Sequence, residues 1–135
     1  MQFSQLLRLL VYGFTTYAAT FMLWALFAAY ALARGPAPRI TAWTATAMVV
    51  FYAAQLLKPE SFNKALGIGV VWLIIHVSLD VLYVIPAAGI LAFNTYYVWV
   101  SYAIVFVTPV VVFLINRLHS IARETLSVSA QAPTQ

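Results

Sequence analysis

Trp72, His76 and Asp80 recur every four residues within one apolar run, and an α-helix sets residues four apart on one face. Asp80 is the only acid inside a long hydrophobic stretch of this chain. At mid-helix in hydrocarbon an Asp costs about 2.5–3.5 kcal/mol on insertion scales, so it demands a partner. Histidine titrates near neutral pH, and a neighbouring carboxylate tunes or shares its proton. Two chemistries fit the stripe. One is a proton relay or an ion or substrate site. The other is a polar clamp, in which His76 and Asp80 bond each other and hydroxyls on neighbouring helices. Ser101 and Tyr102, and Thr44 and Thr46, lie at matching depth in two other apolar stretches. Asp80, His76, Trp72, Ser101, Tyr102, Thr44 and Thr46 therefore form the candidate intramembrane polar site, with Asp80 and His76 turned inward and at least one of those hydroxyls as partner.

Other chemistries lack their residues. The chain has no cysteine, which excludes disulfides, thiolate catalysis and Cys-based metal sites. His119, the second histidine, falls beyond the far end of its apolar stretch. His76 and Asp80 alone give two ligands, where a catalytic zinc site takes three protein ligands and a water. A haem with two axial histidines requires an oligomer. No metal or cofactor is expected. G-x-S-x-G, Gly-rich phosphate loops and H-E-x-x-H are missing from the sequence. Ser78 and Ser101 near His76 invite a triad, but serine in a membrane helix usually bonds backbone, and the i,i+4 spacing sets Asp80 beside His76 rather than behind it. The chain reads as non-enzymatic.

The elements that position this stripe follow from composition. Of 135 residues, 64% are hydrophobic and 7% charged, against roughly 25% charged in a soluble domain. Lipid is the solvent that such a surface requires. The net charge of +4 comes from basic residues scattered at the ends of apolar runs, not from the patch or stripe that nucleic acid needs. The fold class is all-α: an integral membrane four-helix bundle, antiparallel and up-down. One domain, 1–126, contains spans over about 9–33, 40–57, 65–85 and 96–116. Arg34 to Arg39, with Gly35, Pro36 and Pro38, predicts the first loop. Lys58 to Lys64 predicts the second, and Pro86 to Thr95 the third, with Asn94 or Thr95 capping span four. Ala31-Leu32-Ala33 resembles a signal cleavage site, but the apolar run before it far exceeds a signal h-region of ~7–15 residues. Past Asn116, Leu118, Ile121, Ala122 and Leu126 alternate with charges and predict a short interfacial helix. Residues 127–135 are small and polar and predict a disordered tail.

Charge sets the orientation. With a cytoplasmic N-terminus, Arg8, Lys58, Lys64, Arg117 and Arg123 lie inside, and Arg34 and Arg39 outside. This bias predicts both termini in the cytoplasm. Tyr30, Trp43, Tyr83, Tyr96, Tyr97 and Trp99 form an outer aromatic belt, while Tyr12 and Phe62 mark the inner side. Small residues four apart (Ala25, Ala29 and Ala33; Ala42 and Thr46; Ala65 and Gly69) predict close helix contacts. Pro109 deprives the Val105 carbonyl of its donor and predicts a kink in span four, with Thr108 beside the freed group.

Spans three and four resemble a group of uncharacterised small bacterial inner-membrane proteins with four spans. In that group span three reads small-x₃-G-x₂-W-x₃-N-x₃-D with a later proline, and span four reads Y-x₁₁-P. Ala65, Gly69, Trp72, Asp80, Pro86, Tyr97 and Pro109 match. His76 stands at the asparagine position, and Val105 where a second tyrosine is expected. An amide hydrogen-bonds a carboxylate but does not titrate, so the resemblance implies a polar clamp as the shared element. It implies a multi-pass protein of the bacterial inner membrane and carries no biochemical role. The leading expectation is a small structural or accessory protein that binds partner helices. The alternative is an oligomeric channel or proton-coupled transporter using His76 and Asp80. Expected partners are the lipid bilayer and a second copy or another membrane protein, not nucleic acid.

Overall fold

The computed structural model describes residues 3–29, 36–93 and 95–131. Among them every regular element is helical: α1 (Phe3–Ala29), α2 (Pro36–Leu57), α3 (Phe62–Leu79), a π-helical turn (Asp80–Val84), α4 (Ile85–Ala88), α5 (Ile90–Phe93) and α6 (Tyr96–Gln131). Four stretches are long and apolar enough to cross a membrane: Phe3–Phe27, Pro36–Leu57, Phe62–Ala88 and Tyr96–Arg123.

Several boundaries differ from the sequence reading, each for a local reason. Helix α1 starts at Phe3 rather than near Leu9, since no breaker separates the two. Its expected end near Ala33 lies outside the described residues. Helix α2 starts at Pro36, inside the expected first loop. Proline is tolerated in a first helical turn, where the N–H has no helical acceptor. Span three does not stop at Pro86 but continues to Ala88 and ends at Gly89, whose φ of 81° suits glycine. Within the expected third loop lies α5. The expected interfacial helix is continuous with span four, and α6 runs on through residues 127–131, where a disordered tail is expected. No glycine or proline interrupts that stretch before Pro133. Thr108 bonds the Ile104 carbonyl at 2.6 Å rather than the carbonyl freed by Pro109, and α6 passes Pro109 as one helix.

The second loop is short and well capped. Lys58 takes φ 46°, and its N–H returns to the Ala54 carbonyl. Ser61 caps α3, its Oγ accepting from the Lys64 N–H. Lys64 pairs with Glu60 and holds that carboxyl below its usual range.

Helix directions follow from bonds between spans. Trp72 Nε1 donates to the Leu9 carbonyl and Tyr17 donates to Asp80, so α1 and α3 run parallel. The Trp43 indole donates to the Tyr97 carbonyl, and Asn116 bonds Gln55, so α2 and α6 run parallel. Tyr102 donates to Asp80, while Gly69 lies against Phe106, so α3 and α6 run antiparallel. The chain thus alternates direction. Helices α1 and α6 each pack on both α2 and α3 and occupy opposite corners of the bundle.

The two halves pack differently. Toward Lys58, a core of Leu9, Val50, Ala53, Ala54, Trp72, Ile75, Val105 and Val112 is closed. Ala42, Thr46, Ala65 and Gly69 from the small-residue rows are buried, as expected of close helix contacts. Ala25 is exposed instead, and Ala33 lies outside the described residues. Toward Arg39 the bundle opens. Along the whole bundle Met22, Met48, Leu82 and Leu114 turn outward, as a lipid-solvated surface allows. At the Arg39 end Tyr83, Tyr96 and Trp99 are exposed and Tyr97 and Trp43 stack, whereas Tyr30 lies outside the described residues. Toward the Lys58 end Phe62 is exposed, and Tyr12 packs on the core.

Candidate functional site

Asp80 sits where α3 gives way to the π-helical turn. Pro86, six residues on, explains the turn. It has no N–H to donate, and its ring crowds the carbonyl four residues back. The helix widens: the Ile85 N–H bonds the Asp80 carbonyl, five residues back. The Asp80 N–H is shared between the carbonyls of His76 and Val77. π-turns inside α-helices occur frequently at functional sites.

Two tyrosines from two other spans hold the carboxylate. Tyr17 Oη donates to Oδ1 at 2.9 Å, and Tyr102 Oη donates to Oδ2 at 2.7 Å. Both rings are buried, at 9% and 5% exposure. The register of α1 against α3 makes the first bond. Leu9 pairs with Trp72 and Tyr17 with Asp80, both 63 residues apart. Two parallel helices keep one register along their shared length, so fixing the first pair aims the second. Asp80 has no ion pair among the described residues.

His76 does not hydrogen-bond Asp80, contrary to the mutual pair expected. Its Nδ1–H donates to the Trp72 carbonyl at 2.9 Å, one turn back. The carbonyl can only accept, so Nδ1 carries a proton, and in the neutral ring Nε2 keeps a lone pair. Nε2 is buried and has no hydrogen-bond partner among the described residues. The imidazole is 5% exposed and stands edge-on to the Tyr17 ring, with centroids 5.3 Å apart. Trp72 is fully buried and belongs to the core rather than to an opening.

The expected hydroxyls divide. Tyr102 reaches Asp80. Ser101 bonds the Tyr97 carbonyl, Thr46 the Ala42 carbonyl and Thr44 the Ile40 carbonyl. A β-hydroxyl one turn from a helical carbonyl finds its acceptor on its own helix, whereas tyrosine is long enough to cross to the next. Thr44 is also exposed, away from Asp80. Tyr17 escaped the sequence reading. Its signal is a span-one tyrosine eight residues past Leu9, as Asp80 is eight past Trp72.

Around the carboxylate lies a cleft of about 760 Å³. Tyr17, Phe21 and Trp24 of α1 form one wall, Tyr97 and Tyr102 of α6 another, and His76 and Asp80 the third. Ser101 and Thr46 also line it; Trp72 and Thr44 do not. Arg39 stands in it too, with Nη1 bonded to Tyr96 Oη at 3.0 Å and its guanidinium 5.8 Å from that ring's centroid. Small-molecule sites commonly measure about 300–1,000 Å³ and combine apolar walls with a few convergent polar groups. This cleft matches that description. No group of three or more metal-ligating side chains occurs among the described residues.

By length and composition, these four apolar helices make the chain a multi-pass membrane protein. No protein-family model, curated protein or solved structure matches it.

His76→Asn tests the imidazole. An amide at this position still reaches the Trp72 carbonyl, so unfolding in detergent should shift by less than about 1 kcal/mol, the scale of one net hydrogen bond. A larger loss would mean that the ring's packing against Tyr17, not its Nδ1 bond, holds the helix in place.

Proposed function

We propose that this chain is a small-molecule carrier of the bacterial inner membrane, with both termini in the cytoplasm and Asp80 as the group that exchanges a proton for ligand. The observation that supports it is the cleft, whose acid Asp80 is gripped by Tyr17 and Tyr102 and has no counter-cation within ion-pair distance among the described residues. A carboxylate in that setting is neutralised either by a proton or by a positively charged group of a ligand. Alternation between the two is the elementary step of proton-coupled transport. The reading is non-enzymatic. His76 spends Nδ1 on its own backbone, so Asp80 does not orient it as in a nucleophile–base–acid chain.

Charge supports the orientation. The alternating helix directions gather Arg8, Lys58, Lys64, Arg117 and Arg123 toward one end and Arg39 toward the other, the bias of a chain with the Lys58 end inside. A cytoplasm-active reporter fused after Gln135 should therefore work, and one active in the periplasm should work in the loop near Ala88. The reverse pattern would turn the cleft toward the cytoplasm.

The function is tested on the purified protein in a weakly buffered detergent solution with a pH-sensitive dye, using cationic, neutral and anionic amphiphiles. At least one class should raise the unfolding temperature and release protons, and Asp80→Asn should lose both effects. Binding to the folded state alone stabilises by about 2.7 kcal/mol at a hundredfold excess over Kd. No stabilisation by any class would end the carrier reading. The accessory reading draws on the exposed apolar surface of the bundle, Met22, Met48 and Leu82 among it, against which a partner helix would lie. Native mass spectrometry showing a stoichiometric second membrane protein would favour it.

A further inference from the structure

We infer that the ligand of the cleft is a protonated amine that carries at least one N–H and an aromatic or apolar body. This rests on the reading of the cleft as a ligand site and adds the ligand's class. Three observations converge on it. First, the acceptors deep in the cleft are short of donors, and the buried Tyr97 hydroxyl, also without a partner among the described residues, accepts as readily as it donates. Asp80 receives one hydrogen bond on each oxygen, Tyr17 to Oδ1 and Tyr102 to Oδ2, and an ionised carboxylate offers about four lone-pair sites. His76 lies one turn away on the same face, and its Nδ1–H bond to Trp72 leaves Nε2 as a bare acceptor without a partner at 5% exposure. An anionic ligand would bring only further acceptors to groups that already accept, and a hydroxyl would bring a donor without the charge that neutralises the carboxylate. An ammonium brings donors and a positive charge together.

Second, the walls are aromatic. Tyr17, Phe21, Trp24, Tyr97 and Tyr102 all face the cleft, and aromatic faces attract cations while excluding water. Trp24 and Tyr97 meet edge to face with centroids 4.4 Å apart, and Trp43 stacks behind Tyr97, so the wall is buttressed. Third, Arg39, the one cation lining the cleft among the described residues, is already engaged. Arg39 bonds the Tyr96 hydroxyl and lies over the Tyr96 ring, and no ion pair joins it to Asp80. The two unmet acceptors separate amines from quaternary ammonium ions. A fully methylated nitrogen keeps the charge and the ring attraction but has no proton for Nε2 or for the free lone pairs of Asp80.

The test measures equilibrium binding to the full-length protein in detergent by titration calorimetry. The probes are tryptamine, its N,N,N-trimethyl derivative and the uncharged alcohol tryptophol. Tryptamine should bind at least about tenfold more tightly than either analogue, the scale of one hydrogen bond to a charged group. Asp80→Asn should remove that preference. His76→Leu should weaken tryptamine severalfold and leave the trimethyl derivative unchanged. His76→Gln, whose longer side chain carries its carbonyl out to the Nε2 position, should recover part of the loss. Equal or tighter binding of the trimethyl derivative would overturn the N–H requirement while keeping a cation site. Equal binding of tryptophol would overturn the amine and keep a ligand cleft. If none of the three binds to folded protein, both the amine and the ligand cleft are wrong.

Discussion

Asp80→Leu should lower the unfolding free energy of the protein in mixed micelles by roughly 1–3 kcal/mol, the range for two interhelical hydrogen bonds in lipid. The substitution removes both acceptors at once and leaves the hydroxyls of Tyr17 and Tyr102 buried between spans without partners. A stranded donor costs more than the net gain of the bond it has lost. Removing an ionisable group from hydrocarbon acts in the opposite direction, and this opposing term is why the upper end of the range is not exceeded. A double-mutant cycle separates the contributions. Tyr17→Phe and Tyr102→Phe should each cost about 0.6–1.7 kcal/mol in the wild-type background and should cost nothing, or restore stability, once Asp80 is leucine and the hydroxyl is stranded. Asp80→Asn, which keeps one acceptor, should fall between. A leucine variant as stable as wild type, with no coupling to either tyrosine, would show that the carboxylate does not join the spans.

Gly69→Val should be as damaging, through packing alone. A Cβ at Gly69 would stand 2.4 Å from the carbonyl oxygen of Phe106 on α6. No real Cβ contact is so short, and the obstacle is backbone, which cannot swing aside as a side chain can. Helices α3 and α6 would have to separate, and overpacking of this kind costs typically 1–3 kcal/mol. Gly67 supplies the control two residues away. A Cβ there meets nothing within 4 Å, so Gly67→Ala should change stability by no more than about 0.5 kcal/mol. Unfolding of both variants in the same micelle decides the matter. If Gly69→Val unfolds like wild type, the approach of α3 to α6 is looser than described.

Much of this architecture is readable from residue type. Four apolar runs, their charged ends and the small residues at Ala65 and Gly69 point to a bundle, because lipid leaves few other ways to satisfy a spanning backbone. The stripe of Trp72, His76 and Asp80 is legible for the same reason: a carboxylate in such a run demands explanation. Three things are hidden. Tyr17 lies 63 residues from Asp80, and nothing local to either announces their register. Pro86 reads as a stop, although a proline just past a widened turn leaves the helix intact. The cleft has no motif because it results from α1 and α6 occupying opposite corners, a property of arrangement rather than of any segment. Thr44 and Thr46 mislead for a simple reason. Depth along a span says how far a side chain lies from the surface, not which way it points or how far it reaches.

The parallel pairing of α1 with α3 bears on how the chain is made. Tyr17 is synthesised 63 residues before Asp80, and Tyr102 22 residues after it. At about 5–20 residues per second, the second tyrosine follows the acid by on the order of one to four seconds. During that interval α1 alone can shelter the carboxylate, using the donor it has already delivered to the bilayer. The Leu9–Trp72 bond, formed by the same pair of helices, would hold the two segments in register meanwhile. A chain truncated after Phe93 and released from the ribosome should then retain its third segment in the membrane, and Tyr17→Phe should let that segment slip out while the full-length protein still inserts. The order of the helices along the gene thus acts as a schedule, in which the acid emerges only after its first guardian is in place.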